Sequence, residues 1–136
     1  MRTLRQLFYL SRAAATLTDL EVRQILQISQ RNNRRKDITG CLLYTGRHFA
    51  QVLEGEPALL DELVDRIARD TRHSDFVVAI DHQVSIRRFP DWSMGILYKS
   101  DTADRIEGLL VSGRPSEERA LELLGEMHPD TLMGAL

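Results

Sequence analysis

Between Ile38 and Gly55 two runs rich in apolar and aromatic residues flank Thr45-Gly46-Arg47. Such a pair around a Gly-containing turn is the signature of a β-hairpin. Side chains alternate along a strand, so Phe49, Gln51 and Leu53 share one face of the second run, and His48, Ala50, Val52 and Glu54 share the other. Apolar residues on both faces call for cover on both sides of the sheet. Gln51 is then a carboxamide set between two large apolar neighbours. If its face is buried, two N–H donors and a carbonyl acceptor all need partners. Turned over, the amide exchanges donor for acceptor, which makes it a possible hydrogen-bond switch.

The flanking chain supplies the rest of a layered fold. Leu4 to Ser11 reads as a first strand, with Leu7, Tyr9 and Ser11 on one face. Thr18 and Glu21 have capping-box spacing, and Leu20, Ile25, Leu26 and Ile28, with Val22 nearby, give an apolar helical stripe that Asn32-Asn33 ends. Pro57 opens a second helix carrying Leu59, Leu60, Leu63, Val64 and Ile67 to about Arg72. Phe76 to Ile80 is a short strand, Pro90 interrupts the next stretch, and Trp92 to Tyr98 reads as the last strand. The order strand, helix, strand, strand, helix, strand, strand predicts an α+β, ferredoxin-like βαββαββ sheet with both helices on one face. The C-terminal stretch offers cover for the other face. Asp101 is placed to cap a helix with Ile106, Leu109 and Leu110 that Gly113 ends. Pro115-Ser116 opens another with Leu121, Leu123 and Leu124, stopped at His128-Pro129. Residues 1–98 are expected to form the core and 99–136 a helical extension that packs on the sheet or mediates output.

Composition narrows the chemistry. At 136 residues the chain has the length of one domain, and its net charge of −2 argues against a nucleic-acid binder despite the Arg31, Arg34, Arg35, Lys36 cluster. A single cysteine, Cys41, rules out an internal disulfide and fits a reducing compartment. With no signal-like start and no membrane-length apolar run, the expected setting is the cytoplasm. The four histidines are scattered without metal-ligand spacing, and no P-loop, dinucleotide fingerprint or nucleophile elbow occurs. No metal site and no enzyme are expected.

One combination exceeds composition. Tyr9 in the first strand and Ser29, Asn32 and Asn33 late in the first helix precede Ile38-Thr39-Gly40, then Phe49-Ala50-Gln51-Val52-Leu53-Glu54-Gly55. Arg66, Asp70 and His73 follow, and then Arg88-Phe89-Pro90-Asp91-Trp92-Ser93-Met94. Over residues 1–98 this series resembles, in order and spacing, the BLUF family of blue-light sensors that use FAD. Asp37, where the family often has glycine, and Gln30, where an arginine commonly follows the serine, are departures.

The resemblance implies a flavin held non-covalently between the two helices. Tyr9 and Gln51 would form the photoactive pair, with Trp92 and Met94 on the last strand changing environment during signalling. Asn33 would hold the polar edge of the ring, with Asn32 and Ser29 close by. Ile25 and Ile67 would sandwich it, and Arg66, Asp70 and His73 would line its side from the second helix. Light would drive an electron and then a proton from Tyr9. The pair would recombine, leaving Gln51 rearranged by rotation or tautomerism and the absorption shifted to the red. With no catalytic domain after the sensor, the signal is expected to leave through homo-oligomer contacts and a separate protein effector. An RNA-binding sheet or an acylphosphatase-like hydrolase shares the fold class, but lacks here the aromatic consensus or the phosphate-cradling loop.

Overall fold

The structure, a computed structural model, describes residues 3–128. Strand β1 (Leu4–Ala13) leads to helix α1 (Asp19–Arg35), the hairpin strands β2 (Thr39–Tyr44) and β3 (His48–Gly55), helix α2 (Pro57–Ala68), and strands β4 (His73–Val84) and β5 (Gly95–Tyr98). Two short helices, α3 (Ala103–Val111) and α4 (Glu117–Gly125), follow. The strands form one sheet in the order β4-β1-β3-β2-β5, antiparallel except for the parallel β2–β5 pair. This is the expected α+β ferredoxin-like layer. No helix among the described residues is long and apolar enough to cross a membrane.

Each face of the sheet has its own core. Leu7, Tyr9, Leu42, Phe49 and Leu53 pack with Val22 and Leu26 of α1 and Leu60 of α2. On the opposite face Phe8, Leu10, Leu43, Ala50 and Val52 meet Ile106, Leu109 and Leu110 of α3 and Leu123 and Leu124 of α4. The alternation read from the hairpin therefore sorts correctly, and every residue of β2 and β3 is buried.

Local chemistry sets the element ends. Thr18 Oγ1 accepts from Glu21 N–H at 3.2 Å while Glu21 Oε1 accepts from Thr18 N–H at 3.0 Å, a complete capping box. Helix α1 runs beyond Asn32-Asn33. The left-handed position is taken by Asp37 (φ 54°), and the N–H groups of Lys36 and Ile38 both return to the Asn33 carbonyl. Aspartate tolerates that conformation better than most residues, which accommodates the departure from glycine. Leu20 and Ile28, expected on the packed stripe, are 64% and 52% exposed, because the buried line of α1 is Val22, Leu26, Gln30 and Asn33.

Helix α2 stops at Ala68, short of Arg72, since Asp70 turns back to accept from Arg72 N–H and from its guanidinium. Strand β4 starts earlier than expected, at His73, and its register against β1 shifts between Phe8 and Tyr9 and again between Leu10 and Arg12. The last strand begins only at Gly95, so Trp92 and Met94 lie in the preceding loop. Asp101 caps nothing: it sits in a 3-10 turn (Ser100–Thr102) ahead of α3. Ser116 caps α4 as expected, but Leu121 faces solvent and Ala120 takes its place in the core. Pro129 lies outside the described residues.

Candidate functional site

Strands β1 and β3 are neighbours, and Tyr9 and Gln51 are direct register partners on the α1–α2 face. Tyr9 Oη donates to Gln51 Oε1 at 2.5 Å, with both residues buried. The amide Nε2 of Gln51 faces Met94 Sδ at 3.2 Å. Sulfur is a weak acceptor, so the amide is firmly held at its oxygen and loosely at its nitrogen. Burial, and secondarily the charge of Asp70, push the Tyr9 phenol well above its ordinary range. The phenol thus keeps its proton and stays a donor.

Above the pair a cleft opens between α1 and α2, with about 910 Å³ of space free of protein atoms and continuous with solvent. Tyr9, Ile25, Ser29, Asn32, Asn33, Gln51, Arg66, Ile67, Asp70 and His73 all line it. Two of the three expected on the second helix, Asp70 and His73, do so from elsewhere. Arg66 and Ile67 belong to α2, whereas Asp70 is in the turn after it and His73 opens β4. Asp70 pairs with Arg72 (2.5 Å), not with Arg66, and that guanidinium holds the carboxyl below its usual range. The His73 ring sits between the Ile67 carbonyl (Nε2, 2.5 Å) and the Ser11 hydroxyl (Nδ1, 2.7 Å). A carbonyl can only accept, so Nε2 carries a proton. The ring lies edge-on to Tyr9 at 6.3 Å.

The sequence reading missed Ile28, Leu42, Phe49, Leu63 and Arg72, which complete the lining. In the sequence Ile28 falls on the apolar stripe of α1, and Arg72 falls at the expected end of α2. Trp92 does not reach the cleft. It is half-buried beside a separate surface hollow, while Met94 is buried against Gln51. Gly40 makes that possible. Its N–H donates to the Trp92 carbonyl at 2.9 Å, and a Cβ there would stand 2.0 Å from the Val52 carbonyl oxygen and 3.3 Å from Met94 Cε. Glu54, fully buried, accepts from Gln6 and from the backbone N–H groups of Arg88 and Phe89, which ties the β4–β5 loop to β3.

The residues present fit a flavin. Ile25 and Ile28 on one side and Leu63 and Ile67 on the other give apolar walls for a flat ring, and Tyr9, Leu42 and Phe49 give a floor. Ser29, Asn32 and Asn33 supply polar groups for the ring's edge, and Arg66 and Arg72 supply cations for a phosphate-bearing tail.

A flat-ring cleft over a phenol–carboxamide pair on this sheet defines a class of flavin-using light sensor. The chain belongs to the BLUF family, sensors of blue light using FAD, whose sequence profile matches residues 4–95. Over 93 residues it is 33% identical to the photoactivated adenylate cyclase subunit beta of Euglena longa, covering 68% of this chain and 11% of that protein. Over 69 residues it is 33% identical to the blue light- and temperature-regulated antirepressor BluF of Escherichia coli K12, covering 51% and 17%. The dark-state structure of the BLUF protein BlrB superposes with a TM-score of 0.75 at 35% identity, over 90% of this chain and 93% of that one. The chain spans less than a fifth of the length of either curated relative.

Proposed function

We propose that this chain is a non-enzymatic photosensor in which Tyr9 and Gln51 form the light-driven switch, and that it passes its signal to a separate protein. The observation that carries the reading is the buried 2.5 Å hydrogen bond between the two residues on the floor of a cleft fit for flavin.

A bound flavin supplies blue-light absorption and, once excited, a strong pull on a nearby electron. With the group bound, Tyr9 would be the residue to give up an electron, and its phenolic proton would follow. Both would return to Tyr9, leaving no bond made or broken in the protein except hydrogen bonds. Gln51 would end with its donor and acceptor exchanged, presenting an N–H where it had presented its carbonyl oxygen, and that change would account for a reddened absorption. Asn33, Asn32 and Ser29 orient the ring's polar edge. Ile25 and Ile67 would clamp its faces and exclude water. Arg66 would neutralise a phosphate-bearing tail, while Asp70 and His73 close the side next to Tyr9. A hydrogen-bond exchange is worth about 0.5–1.5 kcal/mol, so the element it drives must already be nearly balanced between two states.

Residues 1–98 act as the sensor and 99–136 as the output extension. The packing of α3 and α4 on the far side of the same strands supports that division. A homo-oligomer in the cytoplasm, acting on its effector by contact, completes the reading. Purified protein is expected to be yellow, to release FAD on heating as identified by mass spectrometry, and to redden reversibly under blue light. A colourless protein, or one without the reversible change, contradicts it.

A further inference from the structure

Three hydrogen bonds fix the backbone of residues 92–94 over the cleft's edge. Gly40 N–H donates to the Trp92 carbonyl, Asn33 Nδ2 to the Ser93 carbonyl at 3.0 Å, and Gln30 Nε2 to the Met94 carbonyl at 2.9 Å. Asn33 and Gln30 are three apart on one face of α1, and both are buried. Gln30 stands apart from Asn33 in one respect: it does not line the cleft but the neighbouring surface hollow, with Arg34 and Trp92. Its amide therefore serves the backbone of Met94, whose sulfur opposes the Gln51 amide.

Exchanging donor and acceptor on Gln51 changes what Met94 Sδ meets. An amide N–H is replaced by a carbonyl oxygen, which a weakly accepting sulfur does not welcome. Met94 has to yield for the exchange to proceed in either direction. Its freedom to yield is limited by the hydrogen bond on its own carbonyl.

We propose that Gln30 is a positioning residue that sets the lifetime of the switched state by holding Met94 against Gln51. The inference rests on the photosensor reading above. The test compares Gln30→Met, similar in shape but without a donor, with Gln30→Arg, which keeps one. Dark recovery after a blue pulse is followed by absorption, and hydrogen–deuterium exchange of the peptide spanning residues 88–94 is followed in darkness. Gln30→Met is expected to bind flavin and redden as the parent does, yet recover about three- to tenfold faster, the factor that one net hydrogen bond corresponds to. Exchange over 88–94 should also be faster. Gln30→Arg is expected to stay within about twofold of the parent, the guanidinium supplying the missing donor. Unchanged or slower recovery in Gln30→Met, or equal acceleration in Gln30→Arg, overturns the proposal. Should Gln30→Met be isolated without flavin, Gln30→Ala decides by the same criterion. A parent protein that does not redden at all would refute the photosensor reading instead, so the two failures are distinct.

Discussion

Tyr9 and Gln51 face each other across adjacent inner strands, and the phenol's one proton is committed to the amide oxygen at 2.5 Å. The sheet fixes where both side chains start, and Val22, Leu26, Leu53 and Leu60 bury that face. What is left free is which end of the amide points at the phenol. A polar pair with one variable, buried where water cannot substitute, can hold two states.

Tyr9→Phe removes the donor and nothing else of the ring. The variant is expected to fold with a loss of about 1 kcal/mol and to keep its flavin, while losing the reversible red shift. Absorption before and after blue light checks this. An intact shift removes Tyr9 from the mechanism.

Asn33→Ala removes a cleft-lining amide and the bond to the Ser93 carbonyl together. Flavin retention should weaken by about tenfold, as loss of one or two hydrogen bonds to a buried ring edge implies. The check is flavin-to-protein stoichiometry during dilution. Unchanged stoichiometry counts against Asn33 as a ligand.

Gly40→Ala puts a Cβ 2.0 Å from the Val52 carbonyl oxygen inside the β2–β3 ladder. Backbone cannot step aside as a side-chain end can, so the loss should be on the order of 3–5 kcal/mol. Urea unfolding measures it. A variant within 1 kcal/mol (about the cost of an ordinary substitution) would show that the hairpin has slack.

Much of this arrangement is legible in the residues because it is local. Alternation in His48–Gly55 assigned both faces of β3, and Thr18 with Glu21 marked the start of α1. The ends of elements were less legible because distant partners decide them. Asn33 looks like a helix terminator until its amide is seen to donate to Ser93, 60 residues on. Asp70 looks helical until Arg72 folds it into a turn. Trp92 and Met94 have strand parity, yet Gly40 and Gln30 hold their segment as a loop before β5. Glu54 and Gln30 carried no local signal, since each earns its role only through backbone groups brought near by the fold.

On the far face Glu107 of α3 accepts from Arg12 and from His48 (2.8 Å), and these partners, Arg12 first, draw its carboxyl from 4.5 down to about 2. A depressed folded-state value means that the contribution is complete above about pH 4.5 and is lost as pH falls toward 2. More than a third of the side chain is exposed, so solvent screens part of it. The melting-temperature gap between the parent and Glu107→Gln should hold steady above pH 4.5 and narrow below it. A gap independent of pH would show that the pair contributes nothing.

The exchange at Gln51 is tested most directly by the light-minus-dark infrared difference spectrum of the flavin-bound protein, recorded for the parent and for Gln51→Leu. The parent should show the ring carbonyl band moving to lower frequency as it gains a hydrogen bond. Gln51→Leu, with flavin bound, should show no such movement. A carbonyl band that stays in place in the parent, or that still moves without the amide, contradicts the account.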